Sequence, residues 1–170
     1  MQLTQIQHLK LDLSNCITSQ DEVSTWLEQM PNLQSLWLDL AKVRVFSMLN
    51  IPLLADLRQL TIHSKMASFC LYIPTLPALE RLFVSVYYPR SFAVSRWHRN
   101  LEEMTALQSY TQISLTWLEL EHLSAYLPPQ LQQLNLLSVY DNNDPQGHFW
   151  ENLTNLTQLE VLNMPDLTAP

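Results

Sequence analysis

Five histidines, two cysteines and a surplus of carboxylates are the groups with which this chain could do chemistry. His8, His63, His98, His122 and His148 are scattered, and no H-E-x-x-H sets two of them on one helical face. Cys16 and Cys70 stand far apart without a C-x-x-C, so neither a zinc ribbon nor a redox pair is encoded. One constellation remains in Asp12, Asp39 and His63, which follow one another at intervals of 27 and 24 residues. Two carboxylates and an imidazole brought together could ligate a divalent ion or act as an acid/base pair with an orienting partner. Left apart, they are a solvated polar edge. A second concentration of chemistry runs from Arg81 to Leu101, which contains no acid. It holds Arg81, Arg90, Arg96 and Arg99, four of the nine lysines and arginines, with Tyr87, Tyr88, Phe92, Trp97 and His98 among them. Arginine forks pair with carboxylate or phosphate and stack on aromatic faces, so this basic patch could take an acidic or phosphorylated peptide, or RNA. The competing reading is a return loop whose aromatics pack inward and whose arginines are solvated.

Composition removes whole classes of function. Gly147 is the single glycine in 170 residues. P-loops, dinucleotide-binding turns and nucleophile elbows each need several positions without a Cβ, so most nucleotide enzymes and α/β-hydrolases are excluded. A net charge of −7 disfavours general attraction to nucleic acid or anionic membranes. A 47% apolar composition is enough for one sizeable core. No basic leader followed by an apolar stretch opens the chain, and no apolar run approaches the ~18 residues of a membrane span, so a cytoplasmic setting is expected.

The elements that must position these residues are legible in a period. Leucine-type residues recur as Leu3, Ile6, Leu9, Leu11; Met30, Leu33, Leu36, Leu38; Leu54, Leu57, Leu60, Ile62; and Leu76, Leu79, Leu82, Val84. They continue as Leu101, Met104, Leu107, Ser109; Pro128, Leu131, Leu134, Leu136; and Leu153, Leu156, Leu159, Val161. The third members fall at 9, 36, 60, 82, 107, 134 and 159, a mean step near 25. The fifth block is the weakest, and Ile113-Ser114-Leu115-Thr116-Trp117 offers an alternative strand there. On this pattern the chain resembles leucine-rich repeat proteins over essentially its whole length, in the longer helical style of ribonuclease-inhibitor-like and F-box-associated arrays. The family's L-x-x-L-x-L positions are matched. Its asparagine position holds Ser14, Ala41, Lys65, Tyr87, Gln112, Val139 and Met164 instead. The resemblance implies an α/β fold: a solenoid, or horseshoe, with a parallel sheet of about seven short strands and mixed helical and irregular convex segments. Residues 1–170 are expected to form one such domain, a fragment without clear terminal caps, open to end-to-end self-association.

Helical return segments are predicted where the apolar period changes to 3.6. Ser19-Gln20-Asp21-Glu22 reads as a capping box leading into Val23, Trp26, Leu27 and Met30. Trp117–Tyr126 is a second helix, stopped by Pro128 and Pro129, and Asp144-Pro145 starts a third through Phe149, Trp150 and Leu153. Strand residues that alternate with the leucines should line an outward, concave face. Trp37, Asp39, His63, Arg81, Phe83 and Tyr110 are its expected partner-binding residues, aromatics and arginine being common interface anchors. The expected function is non-catalytic protein–protein recognition, with no cofactor and no metal. The resemblance also allows the substrate-recognition part of a ubiquitin ligase, a microbial effector, or the sensor of a larger receptor. Nucleic-acid or phosphopeptide contact through Arg90, Arg96 and Arg99 is the remaining alternative.

Overall fold

In Ser35-Leu36-Trp37-Leu38-Asp39 every second residue is leucine, and an extended chain sends alternate side chains to opposite faces. Leu36 and Leu38 are buried while Ser35, Trp37 and Asp39 are half-exposed, and Gln59–Ser64 and Ser109–Ile113 alternate likewise. The computed structural model describes residues 3–13, 20–40, 48–65, 70–86, 96–140 and 148–164. In chain order its elements are β1 (His8–Asp12), α1 (Gln20–Glu28), β2 (Ser35–Asp39), β3 (Met48–Asn50), β4 (Gln59–Ser64), β5 (Cys70–Tyr72) and β6 (Arg81–Val86). A 3-10 helix (Arg96–Glu103), β7 (Ser109–Ile113), β8 (Leu115–Thr116), α2 (Trp117–Ser124), β9 (Gln133–Leu136), β10 (Val139–Tyr140), α3 (His148–Leu153) and β11 (Val161–Asn163) follow.

Seven of the strands form one parallel sheet in the order β1-β2-β4-β6-β7-β9-β11, so the fold is α/β with its main strands side by side in chain order. Register aligns Leu9, Leu36, Leu60, Leu82, Tyr110, Leu134 and Leu162 in one row across the sheet. Each strand is entered through the same tight turn. The N–H groups of Ile6, Leu33, Leu57, Leu79, Leu107, Leu131 and Leu159 each donate to the carbonyl three residues earlier, at 3.0–3.2 Å. At the six starts from β2 onward in the sheet, two adjacent N–H groups then share the carbonyl of the residue just before the neighbouring, earlier strand. Gln34 and Ser35 bond Gln7, Arg58 and Gln59 bond Gln34, and so on to Glu160 and Val161 on Gln132, at 2.8–3.0 Å.

This register corrects two of the seven expected anchors. Leu107 and Leu159 close turns, and the row positions belong to Tyr110 and Leu162. The reason is a run of apolar residues at intervals of three, Leu101-Met104-Leu107-Tyr110 and Leu153-Leu156-Leu159-Leu162, which leaves the phase undetermined until the carbonyl pairing fixes it. Tyr110 therefore points into the core, 0% exposed, instead of outward. Behind it Gln112 occupies an apolar slot and is itself buried. The Tyr110 hydroxyl donates to the Gln112 side-chain oxygen, which supplies the partner a buried amide needs. The alternative strand Ile113–Trp117 is not formed as one element. The backbone turns at Ser114, with φ 69°, and enters β8. A left-handed residue with a Cβ is costly, and this glycine-poor chain uses a serine there.

The core is one cluster between the sheet and the return segments. Val23 and Leu27 bury one face of α1 and Met30, just after it, joins them in the core, while Trp26, at the flank of that face, is exposed. Glu119 and Thr116 form a capping box at the start of α2: the Glu119 N–H donates to Thr116 Oγ1 at 3.2 Å, and the Thr116 N–H donates to Glu119 Oε2 at 2.9 Å. Phe149 anchors α3 while Trp150 stays exposed. The start expected at Asp144-Pro145 and the box expected at Ser19 lie outside the described residues, as do Cys16, Gly147, Tyr87, Tyr88, Arg90 and Phe92. Two small parallel pairs, β3 with β5 and β8 with β10, join the return segments. Among the described residues no helix is long and apolar enough to cross a membrane.

Candidate functional site

The site is built by the same alternation that makes the core. If Leu36 and Leu38 point inward, Trp37 must point outward, and neighbouring strands repeat this about every 4.8 Å. Three rows result on the outward face. One holds His8, Ser35, Gln59, Arg81, Ser109, Gln133 and Val161. The middle row holds Lys10, Trp37, Thr61, Phe83, Thr111, Asn135 and Asn163. The third holds Asp12, Asp39, His63, Ser85 and Ile113.

The first half of this face is aromatic and charged. Lys10 Nζ lies 4.1 Å from the centre of the Trp37 ring, within cation–π range. Trp37 and His63 ring centres are 5.7 Å apart, and His63 and Phe83 are 5.0 Å apart, both tilted. Trp37, His63 and Phe83 thus make a continuous half-exposed run across three strands. The second half is polar. Asn163 Nδ2 donates to Asn135 Oδ1 at 2.5 Å, Asn135 Nδ2 to Thr111 Oγ1 at 3.0 Å, and Ser109 Oγ to Gln133 Oε1 at 3.3 Å. Arg81 is exposed at the first row, and beside it Arg58 pairs with Glu80 at 2.7 Å.

Of the expected partner-binding residues, five lie together on this face: Trp37, Asp39, His63, Arg81 and Phe83. Tyr110 does not, for the reason of phase given above; Thr111 takes the outward place beside Phe83. Asp12, Asp39 and His63 are consecutive in their row. Even so, no three His, Cys, Asp or Glu side chains among the described residues are grouped to hold a metal ion.

The basic stretch is divided. Arg99 is exposed on the 3-10 helix, and Arg96 begins that helix. Trp97 and His98 lie in the core and cannot stack on a ligand from outside.

Sequence reasoning missed a buried polar cluster around His98. Its ring packs edge-on against Trp97 at 4.5 Å and lies 6.2 Å from His122, which in turn lies 5.0 Å from Tyr126. Trp97 is 6.4 Å from Tyr110. Trp97 Nε1, both ring nitrogens of His98 and Nδ1 of His122 make no hydrogen bond to another of the described residues that meets ordinary geometry. Burial lowers the His98 pKa to about 3, the His122 ring adds to the shift, and the nearby Gln112 side chain opposes it. Burial, then the Arg99 charge, lowers the His122 pKa as well. The signal was present in the sequence: His98 stands three residues before Leu101 and continues the three-residue apolar phase into the core. Compared with known proteins, the chain matches no family model, no curated protein and no solved structure.

Proposed function

We propose that this chain is a leucine-rich repeat solenoid acting as a non-catalytic recognition scaffold, with a partner protein held on the outward face of its main sheet. Seven parallel strands in chain order support the architecture, each entered by the same turn and joined to its neighbour by the same shared-carbonyl junction. Their core positions, 9, 36, 60, 82, 110, 134 and 162, recur every 22 to 28 residues. In such a stack the core and the return segments occupy one side of the sheet and leave the other to a partner.

The observation that carries the function is the run Trp37–His63–Phe83, half-exposed on adjacent strands. Rings held rigidly by strands lose little conformational freedom on binding; Trp is enriched among interface hot spots, and Trp and Phe among interface residues generally. Around them stand amides, hydroxyls and a few charges, the composition of an interface rim.

The reading is tested with the immobilised 170-residue chain and its alanine variants against extract, followed by titration of the protein recovered. Trp37→Ala and Phe83→Ala should each weaken binding at least about tenfold, equivalent to about 1.4 kcal/mol. Glu28→Ala, on the exposed side of α1, should leave it unchanged. Equal recovery by all four chains would refute the proposed face.

A further inference from the structure

We infer that the partner of the outward face presents an extended acidic segment: a carboxylate for Arg81, an apolar side chain for the rings beside it, and a second carboxylate for Lys10. The inference rests on that face being the binding face and adds the chemistry of what it holds. Four outward strand positions carry a formal charge, Lys10, Asp12, Asp39 and Arg81. Asp12 and Asp39 stand side by side at the ends of β1 and β2, and each already has an interaction of its own. Arg81 is exposed, and among the described residues no carboxylate pairs with it or with Lys10. Glu80, the neighbour of Arg81 in sequence, is held by Arg58 at 2.7 Å. Lys10 lies over Trp37, and one ring contact leaves an ammonium with N–H donors to spare. Positive charge is therefore what this face of an acidic chain leaves unanswered.

The spacing of the two cations selects the kind of anion. Arg81 on β6 and Lys10 on β1 are three strands apart in the sheet, about 14 Å at ~4.8 Å per strand. They are too far apart to close on one phosphate group. They also do not continue as a track for a nucleic-acid backbone, because the outward residues beyond β6, such as Thr111, Gln133 and Asn135, are uncharged. A single guanidinium fork matches a single carboxylate, and a single ammonium accepts another.

The same distance sets the spacing within the partner. An extended chain laid across the strands advances about 3.4 Å per residue, so four residues cover about 14 Å. Residues i, i+2 and i+4 of such a chain point to one side. With acids at i and i+4 over Arg81 and Lys10, the side chain at i+2 falls above β4, where the His63 ring lies between Trp37 and Phe83. An apolar residue belongs there. The segment is thus acid–x–apolar–x–acid.

Phage-displayed random dodecamers panned on the immobilised 170-residue chain supply the probe, and the enriched peptides are synthesised and titrated. They should carry Asp or Glu on both sides of an apolar residue at the spacing given, and should lose binding to Trp37→Ala. Arg81→Glu should weaken them at least about tenfold, since it sets like charges opposite one another. Replacing one of the peptide's acids by lysine should restore binding to Arg81→Glu and weaken binding to wild type. Circular dichroism checks that each variant is folded; should Arg81→Glu misfold, Arg81→Gln, which removes the charge without reversing it, replaces it. Peptides that need Trp37 but show no bias to acid, that bind Arg81→Glu as well as wild type, or that bind tighter with phosphoserine in place of the acid would overturn the inference and leave the face standing. A pan that yields no peptide dependent on Trp37 would remove the face and the inference together.

Discussion

His98 is held neutral by the fold, and that single side chain links the core to pH. Its ordinary pKa of 6.5 falls to about 3 because burial removes the water that would solvate an imidazolium, and His122 stands beside it. Between these two values the unfolded chain binds a proton that the folded chain refuses. Stability is therefore complete above pH 6.5 and declines as pH falls toward 3, by roughly 1.36 kcal/mol per pH unit at most from this group. The lowered pKa of His122 acts in the same direction. Urea melts between pH 7 and pH 4 should show this decline in the wild type and a flatter profile for His98→Leu, which removes the buried imidazole; superimposable profiles would contradict the assignment. Single residues were unevenly legible in the sequence. Trp37, Asp39, His63 and Phe83 could be placed on one face because the leucines on either side of them fix the alternation. Tyr110 could not. It ends a run of apolar residues spaced by three, and the inward position two residues later is Gln112, a polar residue whose side-chain oxygen accepts from the Tyr110 hydroxyl in the core.

At the scale of elements, long strands and the helices α1 and α2 follow from apolar period, and their partners follow from parallel stacking. The pairs β3–β5 and β8–β10 do not. Each strand in them has two or three residues, too short to display a period, and each exists because neighbouring return segments run side by side. The start of α2 at Trp117 agrees with the sequence reading; what that reading did not name is the cap, Thr116, the residue before the helix. Its hydroxyl accepts from the Glu119 N–H, and its own N–H and hydroxyl both reach Glu119 Oε2, at 2.9 and 3.1 Å. Glu119 is buried, which raises its pKa, while the Thr116 hydrogen bonds counter that rise. Thr116→Ala should cost about 1 kcal/mol for the lost cap, and more if the buried carboxylate is left with fewer partners. Chemical denaturation at pH 7 measures the loss. A Thr116→Ser variant, which keeps the hydroxyl, should recover most of it, and a Thr116→Ala protein as stable as wild type would show that the cap contributes nothing.

Over the whole molecule, one rule of alternation produces both the inward leucine rows and the outward rows that contain Trp37, His63 and Phe83. Change of phase in two blocks alters which residues line the face but not its existence, because the strand order follows the chain throughout. The sequence carried the number and direction of the main strands for that reason; it did not carry the identity of a partner, since surface chemistry of rings, amides and hydroxyls suits many proteins. The proposed recognition role is tested most directly by a photoreactive amino acid at Thr61, which stands between Trp37 and Phe83 in the middle row, compared with the same group at Glu28 on α1. The account predicts a specific cross-link to the partner protein from Thr61, suppressed by excess wild-type chain but not by excess Trp37→Ala, and none from Glu28. Cross-links of equal yield at both sites, or suppression by Trp37→Ala as strong as by wild type, would contradict it.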